Sequence, residues 1–345
     1  MCRIALHGLS RIGRLILRQL VFETADRRGD DDPGLEVVAL NDVAAPDNLA
    51  YLMNHDSIHG GPPTRARASA DELMWGSYTM TMLGISDRAE LPWRDLEVDL
   101  VIDACDDADD RERASRHLEA GAERVIATNV VNDADVTICM GVNEARFDPA
   151  RHRVISSAGS AASCLAVIAD IVDEEFGIES GIVTAIQAYT SANALLDTPD
   201  ELWRRGRSAT LSIVPTTIEL TEEMVRIIPD LRDRLDAVAM RVPVPCGSII
   251  DLVVHTEQPT SARRVNDAFR SAARTERLSD ILDVTEDPPV STDIIGTSYS
   301  AVVDAESTVV VKTHTVKVLA WHDNEWAYAS RIIDLARHVG QQASR

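Results

Sequence analysis

Three groups of residues in this 345-residue chain have the types and spacing that chemistry needs. The first is Gly8-Leu9-Ser10-Arg11-Ile12-Gly13, which follows an apolar run and opens a helical pattern. A loop of this kind lets the backbone approach a pyrophosphate at a helix N-terminus. Serine stands at the middle glycine of GxGxxG, so the segment reads as a weakened dinucleotide loop or as a plain strand-to-helix turn. Asn41-Asp42 ends the next apolar run. A carboxylate there binds an adenosine ribose diol and repels a 2′-phosphate, favouring NAD over NADP; a helix cap or turn is the other reading. The second group is the acidic run Asp106, Asp107, Asp109 and Asp110, read as caps of the helix that follows or as metal ligands. The third is histidine. His55 and His59 stand four apart, the metal-ligand spacing of a helix, and His322 is either an acid/base or an exposed loop side chain.

Strands and helices must position these groups. Strand-like runs at Arg3–Leu6, Leu35–Leu40, Val98–Ala104 and Val125–Ala127 alternate with helical patterns at Ile12–Phe22, Asp47–Asn54 and Asp109–Ala120. Such βαβ alternation predicts a parallel sheet covered by helices. Ala25–Gly34 reads as a polar, turn-rich insertion. The second half opens with a helix at Ala161–Phe176. It continues with β-type runs at Ile182–Tyr189, Ala237–Arg241, Ser248–His255, Tyr299–Val303, Thr308–Val311 and Thr315–Trp321. Helices near Thr221–Ile227 and Ala262–Thr275 complete an α+β domain on a mostly antiparallel sheet, and an amphipathic helix near Glu325–Val339 ends the chain.

Composition narrows the partners. Lys plus Arg is 34 and Asp plus Glu is 56, so 34 − 56 leaves a net charge of −22. That disfavours nucleic acid and anionic membranes, and mildly a strongly anionic substrate unless local arginines override it. Five scattered cysteines without a CxxC, and a first strand that starts at once, read as a protein of the reducing cytoplasm with no targeting segment. No apolar run reaches the ~18 residues of a membrane span.

Several stretches together resemble the glyceraldehyde-3-phosphate dehydrogenase family over nearly the whole chain. They are Gly8–Leu15, Asn41-Asp42, Asp56–Gly60 (DSIHG), Met140–Asn143, Ile155–Ala166, Leu202–Arg207, Met240–Pro243, Asp251-Leu252 and Trp321–Tyr328 (WHDNEWAY). The resemblance implies a Rossmann domain over 1–158, completed by a C-terminal helix at 325–345, and a catalytic-type α+β domain over 159–324. It implies NAD as cofactor, held at Gly8, Arg11, Ile12, Gly13, Asp42 and Asn324, with no metal. Because DSxHG belongs to the family pattern, His55 and His59 become structural. A homotetramer, or co-assembly with a paralogue, is the implied assembly.

The same resemblance exposes departures. The family reads SNASCTTNC, with its first cysteine the nucleophile; here Ser156–Cys164 reads SSAGSAASC and puts Ser160 there. Gln187 takes the position of the catalytic histidine. Arg205, Arg241 and Thr190 match positions that bind substrate phosphate. Ile218-Glu219 replace a Thr-Gly pair, followed by Glu222-Glu223. Ala104-Cys105-Asp106-Asp107 stand where the family has STG beside the cofactor. A serine is a far poorer nucleophile than a thiolate, and glutamine cannot be its base. The expectation is an NAD-binding relative without phosphorylating dehydrogenase activity. It takes, if anything, a small phosphorylated or anionic molecule. The alternatives are altered chemistry through Ser160 and His322, or a structural subunit.

Overall fold

The computed structural model describes residues 1–22, 34–105, 107, 110–217 and 219–343. Most of the Ala25–Gly34 insertion, and Asp106, Asp109 and Ile218, lie outside these. The described chain divides into two units. The first is Met1–Met140, Glu144–Gly159 and Ala329–Arg345; the second is Gly141–Asn143 and Ser160–Tyr328.

The first unit carries a nine-stranded sheet built from β1 (Cys2–His7), β2 (Leu35–Asn41), β3 (Arg67–Ala68), β4 (Glu72–Trp75), β5 (Tyr78–Leu83), β6 (Leu100–Asp103), β7 (Arg124–Ala127), β8 (Val136–Ile138) and β9 (Val154–Ser157). Their spatial order is β3-β4-β5-β2-β1-β6-β7-β9-β8. β1 pairs in parallel with β2 on one side and with β6 on the other, so the order reverses at β1. Crevices at such switch points, outside the C-terminal strand ends, are where ligands sit in open α/β sheets. The strands read as continuous apolar runs because both faces are covered: Ile4, Ala5, Val101 and Ile102 are fully buried. The helices are α1 (Arg11–Phe22), α2 (Pro46–Asn54) and α3 (Arg111–Glu119).

The second unit starts at α4 (Ser160–Phe176), whose apolar residues pack on a sheet of β10 (Ile178–Ala188), β11 (Val214–Thr216), β12 (Leu235–Val242), β13 (Ser248–Thr256), β14 (Leu282–Thr285), β15 (Ala301–Asp304) and β17 (Thr315–His322), with β16 (Val309–Val311) paired to β17. The order is β11-β12-β10-β13-β17-β15-β14, antiparallel except for β10–β12 and β14–β15. Along β17, Val316, Val318, Ala320 and His322 alternate inward. α5 (Leu220–Ile227) and α6 (Ala262–Ala272) complete the unit. The last helix, α7 (Trp326–Ala343), belongs to the first unit from Ala329 onward, where Ser330 Oγ donates to the buried Gln19 Oε1 at 2.8 Å.

This is the expected architecture, one α/β unit and one α+β unit. The short β3–β5 run and β8, β9, β11 and β14 escaped the periodicity reading because they are brief and lack a sustained alternation. No helix among the described residues is long and apolar enough to cross a membrane.

Candidate functional site

In the first unit a cleft of about 440 Å³ opens where the sheet order reverses. Its lining includes Gly8, Leu9, Ser10, Asp42, Arg88 and Asp107. Gly8 sits at φ +88°, and a Cβ there would meet the Cys105 amide nitrogen and sulfur at 2.7 Å. A Cβ on Gly13 would collide with the Gly8 carbonyl. Only glycine permits this close loop–helix approach. Ser10 turns its hydroxyl onto the Ala104 carbonyl at 2.9 Å, so its donor is already spent at the end of β6. Asp42 ties the loop to β2: its Oδ2 accepts from Leu9 N at 2.7 Å and its Oδ1 from Ala44 N at 2.8 Å. Arg11 pairs with Asp56 at 3.5 Å, while Ile12 stands in the first turn of α1.

Beneath the cleft lies a buried polar network that sequence reasoning missed. Arg88 Nε donates to Asp103 Oδ2 at 3.0 Å, and its NH2 donates to Asp107 Oδ1 at 2.6 Å. Burial opposes the Asp103 charge, but the His117 hydrogen bond, with His7 and Arg88 beside it, outweighs burial and holds this carboxyl at about 2. The Arg88 contact holds the Asp107 carboxyl below its ordinary value. Trp93 donates to His117 Nδ1 at 3.0 Å, and Asn41 Nδ2 donates to His7 Nδ1 at 2.8 Å. Asn41 is itself oriented by both main-chain groups of Ile85. Each ring therefore carries its hydrogen on Nε2. His7, Asp103 and His117 bring ligand-type atoms within 4.8 Å of one another, and the His117 Nε2 hydrogen is spent on Asp103 Oδ2 at 3.1 Å.

The acidic run thus resolves into separate roles. Asp110 caps α3 through Arg113 N at 2.7 Å, and Asp107 pairs with Arg88. His55 and His59 are not metal ligands on a helix: α2 ends at Asn54, His55 stacks on Tyr51 at 4.5 Å, and His59 stands by Asp56.

In the second unit Ser160 opens α4, and its hydroxyl forms no hydrogen bond among the described residues. Gln187 is 7% exposed, and its Oε1 is sealed without a partner. It lies opposite Arg241, whose NH1 donates to the Ala188 carbonyl at 2.7 Å. Burial and the neighbouring Arg205 push the Arg241 pKa down. Among the described residues no carboxylate pairs with either guanidinium. Arg205 also lines a cleft of about 570 Å³ with Trp203, Thr216 and Met240. Thr190 is folded into a turn through Asn193 Oδ1. Asn324 Oδ1 accepts from Ser248 Oγ at 3.5 Å.

His322 departs from expectation. It is no exposed loop residue but the last residue of β17, opposite Ser248 and 1% exposed. Its Nδ1 is sealed without a partner, and burial lowers its pKa to about 4. Inward alternation along β17 put it there. The thiols of this unit are equally withdrawn. Cys164 is fully buried, with Sγ on the Ala320 carbonyl. Cys246 donates to Asp323 Oδ1 at 3.2 Å, and burial with Asp323 pushes its thiol pKa up.

Comparison with known proteins finds one family match in each half of the chain. Residues 2–110 match the family profile described as glyceraldehyde 3-phosphate dehydrogenase, NAD binding domain, and residues 160–324 match its C-terminal domain. The chain is 40% identical over 337 residues to glyceraldehyde-3-phosphate dehydrogenase 2 of Bacillus subtilis, covering 98% of this chain and 96% of that protein. It is 41% identical to glyceraldehyde-3-phosphate dehydrogenase 1 of Streptomyces avermitilis, covering 98% of each, and 36% identical to the Geobacillus stearothermophilus protein, covering 99% and 98%. NAD is accordingly the cofactor of the first unit. The cleft fits it: the glycines leave the loop close to α1 for a pyrophosphate, Asp42 is fixed at the β2 end, and Val43, Leu49, Leu52 and Ile85 give an apolar wall for an adenine.

Proposed function

The chain belongs to the glyceraldehyde-3-phosphate dehydrogenase family, and we propose that it binds NAD and a small phosphorylated or anionic molecule without carrying out phosphorylating aldehyde oxidation. The observation that carries this reading is the absence of a reachable thiol in the second unit. Ser160 holds the nucleophile position, and Cys164 and Cys246 are buried and bonded elsewhere. The usual reaction needs a thiolate to form a thiohemiacetal and a base to take its proton. A hydroxyl lacks that acidity, and Gln187 cannot accept a proton at all. Losing general-base help alone is worth roughly 10²–10⁴-fold.

The anion pocket supports the second half of the reading. Two neighbouring guanidiniums without carboxylate partners cost self-repulsion, which an anion would relieve through charge-assisted hydrogen bonds. NAD supplies a hydride acceptor when bound; the chain's own part is to hold it at Gly8–Gly13 and Asp42. Calorimetric titration with NAD and, separately, with glycerol 3-phosphate tests the reading. Saturable binding of both is expected. Failure to bind either at millimolar concentration would remove that half.

Altered chemistry through His322 finds less support, since that ring is sealed from solvent. Self-assembly finds more. Ile182, Leu196, Trp203, Leu211, Ile213 and Val238 of the second unit are each at least half exposed. Such an apolar set on a chain of charge −22 suits burial against a further copy or a paralogue. Light scattering is expected to give a multiple of 37.7 kDa; a monomer would contradict it. Five free cysteines, four of them buried, fit a cytoplasmic protein.

A further inference from the structure

Arg88 is anchored at one end and filled at the other. Its Nε is held by Asp103, a fully buried carboxylate that also takes the His117 Nε2 hydrogen bond and the Cys105 amide. An arginine fixed this way through Nε presents its two terminal nitrogens as a ready fork for an anion. In this cleft the fork is occupied from within: NH2 reaches Asp107 Oδ1 at 2.6 Å and NH1 reaches Oδ2 at 3.4 Å. The anchor is sheltered, with the Arg88 side chain 10% exposed, whereas Asp107 is 59% exposed. Both line the same cleft as Gly8, Leu9, Ser10 and Asp42.

We propose that Asp107 is an internal anion that occupies Arg88 and holds down the affinity of the first unit for the phosphates of a dinucleotide. The proposal rests on the reading of that cleft as the NAD site. The physical argument is competition. A pyrophosphate brought to the glycine loop shares the cleft with a carboxylate, and the Arg88 guanidinium that could compensate it is already satisfied. A charge several ångströms away near a protein surface is enough to shift a dissociation constant by ~3- to 30-fold. Asp107 replaces no core contact, being exposed, so its removal leaves Arg88 anchored on Asp103 and frees its fork.

The test is calorimetric titration of NAD into the full chain, its D107N and D107S variants, and E112Q. Glu112 is an acid of the first turn of α3 that does not line this cleft. Thermal melts check folding of each. D107N and D107S are expected to lower the NAD Kd at least threefold, with E112Q unchanged within experimental scatter. Equal gains in D107N and E112Q would mean a general field effect and overturn the proposal. Unchanged or weaker binding in both Asp107 variants, while the parent protein binds, would overturn it and leave the NAD reading standing. No binding by any of them at millimolar NAD would overturn the NAD reading and the proposal together.

Discussion

Asn41 donates its Nδ2 hydrogen to His7 Nδ1 at 2.8 Å, and this bond fixes a buried histidine as a neutral ring at the end of β1. Burial lowers the His7 pKa from 6.5 to about 4. His322 is lowered to about 4 for the same reason. In both, the unfolded chain takes up a proton before the folded one does. Stability is therefore full above pH 6.5 and is lost as pH falls from 6.5 through about 4. Each ring contributes at most on the order of 3 kcal/mol, at 1.36 kcal/mol per unit. Asp103, held at about 2, adds a further loss below its ordinary 3.8. The melting temperature is expected to be flat above pH 7 and to fall steeply between 6.5 and 4, with a shallower fall in H322L. A melting temperature unchanged from pH 7 to 5 would count against the buried neutral rings.

The sealed Gln187 oxygen makes a second prediction. A buried acceptor without a partner costs ~1–3 kcal/mol. Q187L keeps the shape and removes the cost, so denaturant unfolding should show stabilisation of about 1 kcal/mol. Destabilisation would mean that Oε1 has a partner in solution.

Arg241 should matter for anions rather than for the fold. R241Q removes one of two guanidiniums that have no carboxylate partner among the described residues, and charge-assisted bonds are worth ~1.5–3 kcal/mol. Glycerol 3-phosphate binding is expected to weaken about tenfold or more by calorimetry, with NAD binding untouched. Equal affinity in both proteins would assign Arg241 to structure.

Placing a thiol at Ser160 and an imidazole at Gln187 tests the proposed chemistry directly. S160C should place a thiol at the open end of α4 that alkylates with iodoacetamide. S160C/Q187H should alkylate faster at pH 7, because an imidazole promotes the thiolate. If the double variant reacts no faster than the single one, the Gln187 position does not serve the nucleophile.

Much of this was legible in the sequence, for physical reasons. Gly8 and Gly13 mark a loop only glycine can form, and the apolar runs of β1, β2 and β6 announce strands covered on both faces. Ser160 and Gln187 stand where the resemblance leads one to expect a cysteine and a histidine. Two things stayed hidden. The Arg88–Asp103–Asp107 contacts join residues 15 and 19 apart across separate elements, and nothing local marks them. His322 follows the apolar Thr315–Trp321 run as a polar residue and so reads as loop, yet the strand alternation continues through it and turns it inward.

The most direct measurement is NADH formation, followed by absorbance, when the purified chain meets glyceraldehyde 3-phosphate, NAD and inorganic phosphate at neutral pH. A protein without a reachable thiol at the head of α4 should give a rate at least four orders of magnitude below ordinary enzyme turnover, ~10 s⁻¹. Turnover at ordinary rates would contradict the assignment of Ser160 and Gln187 as a silent pair.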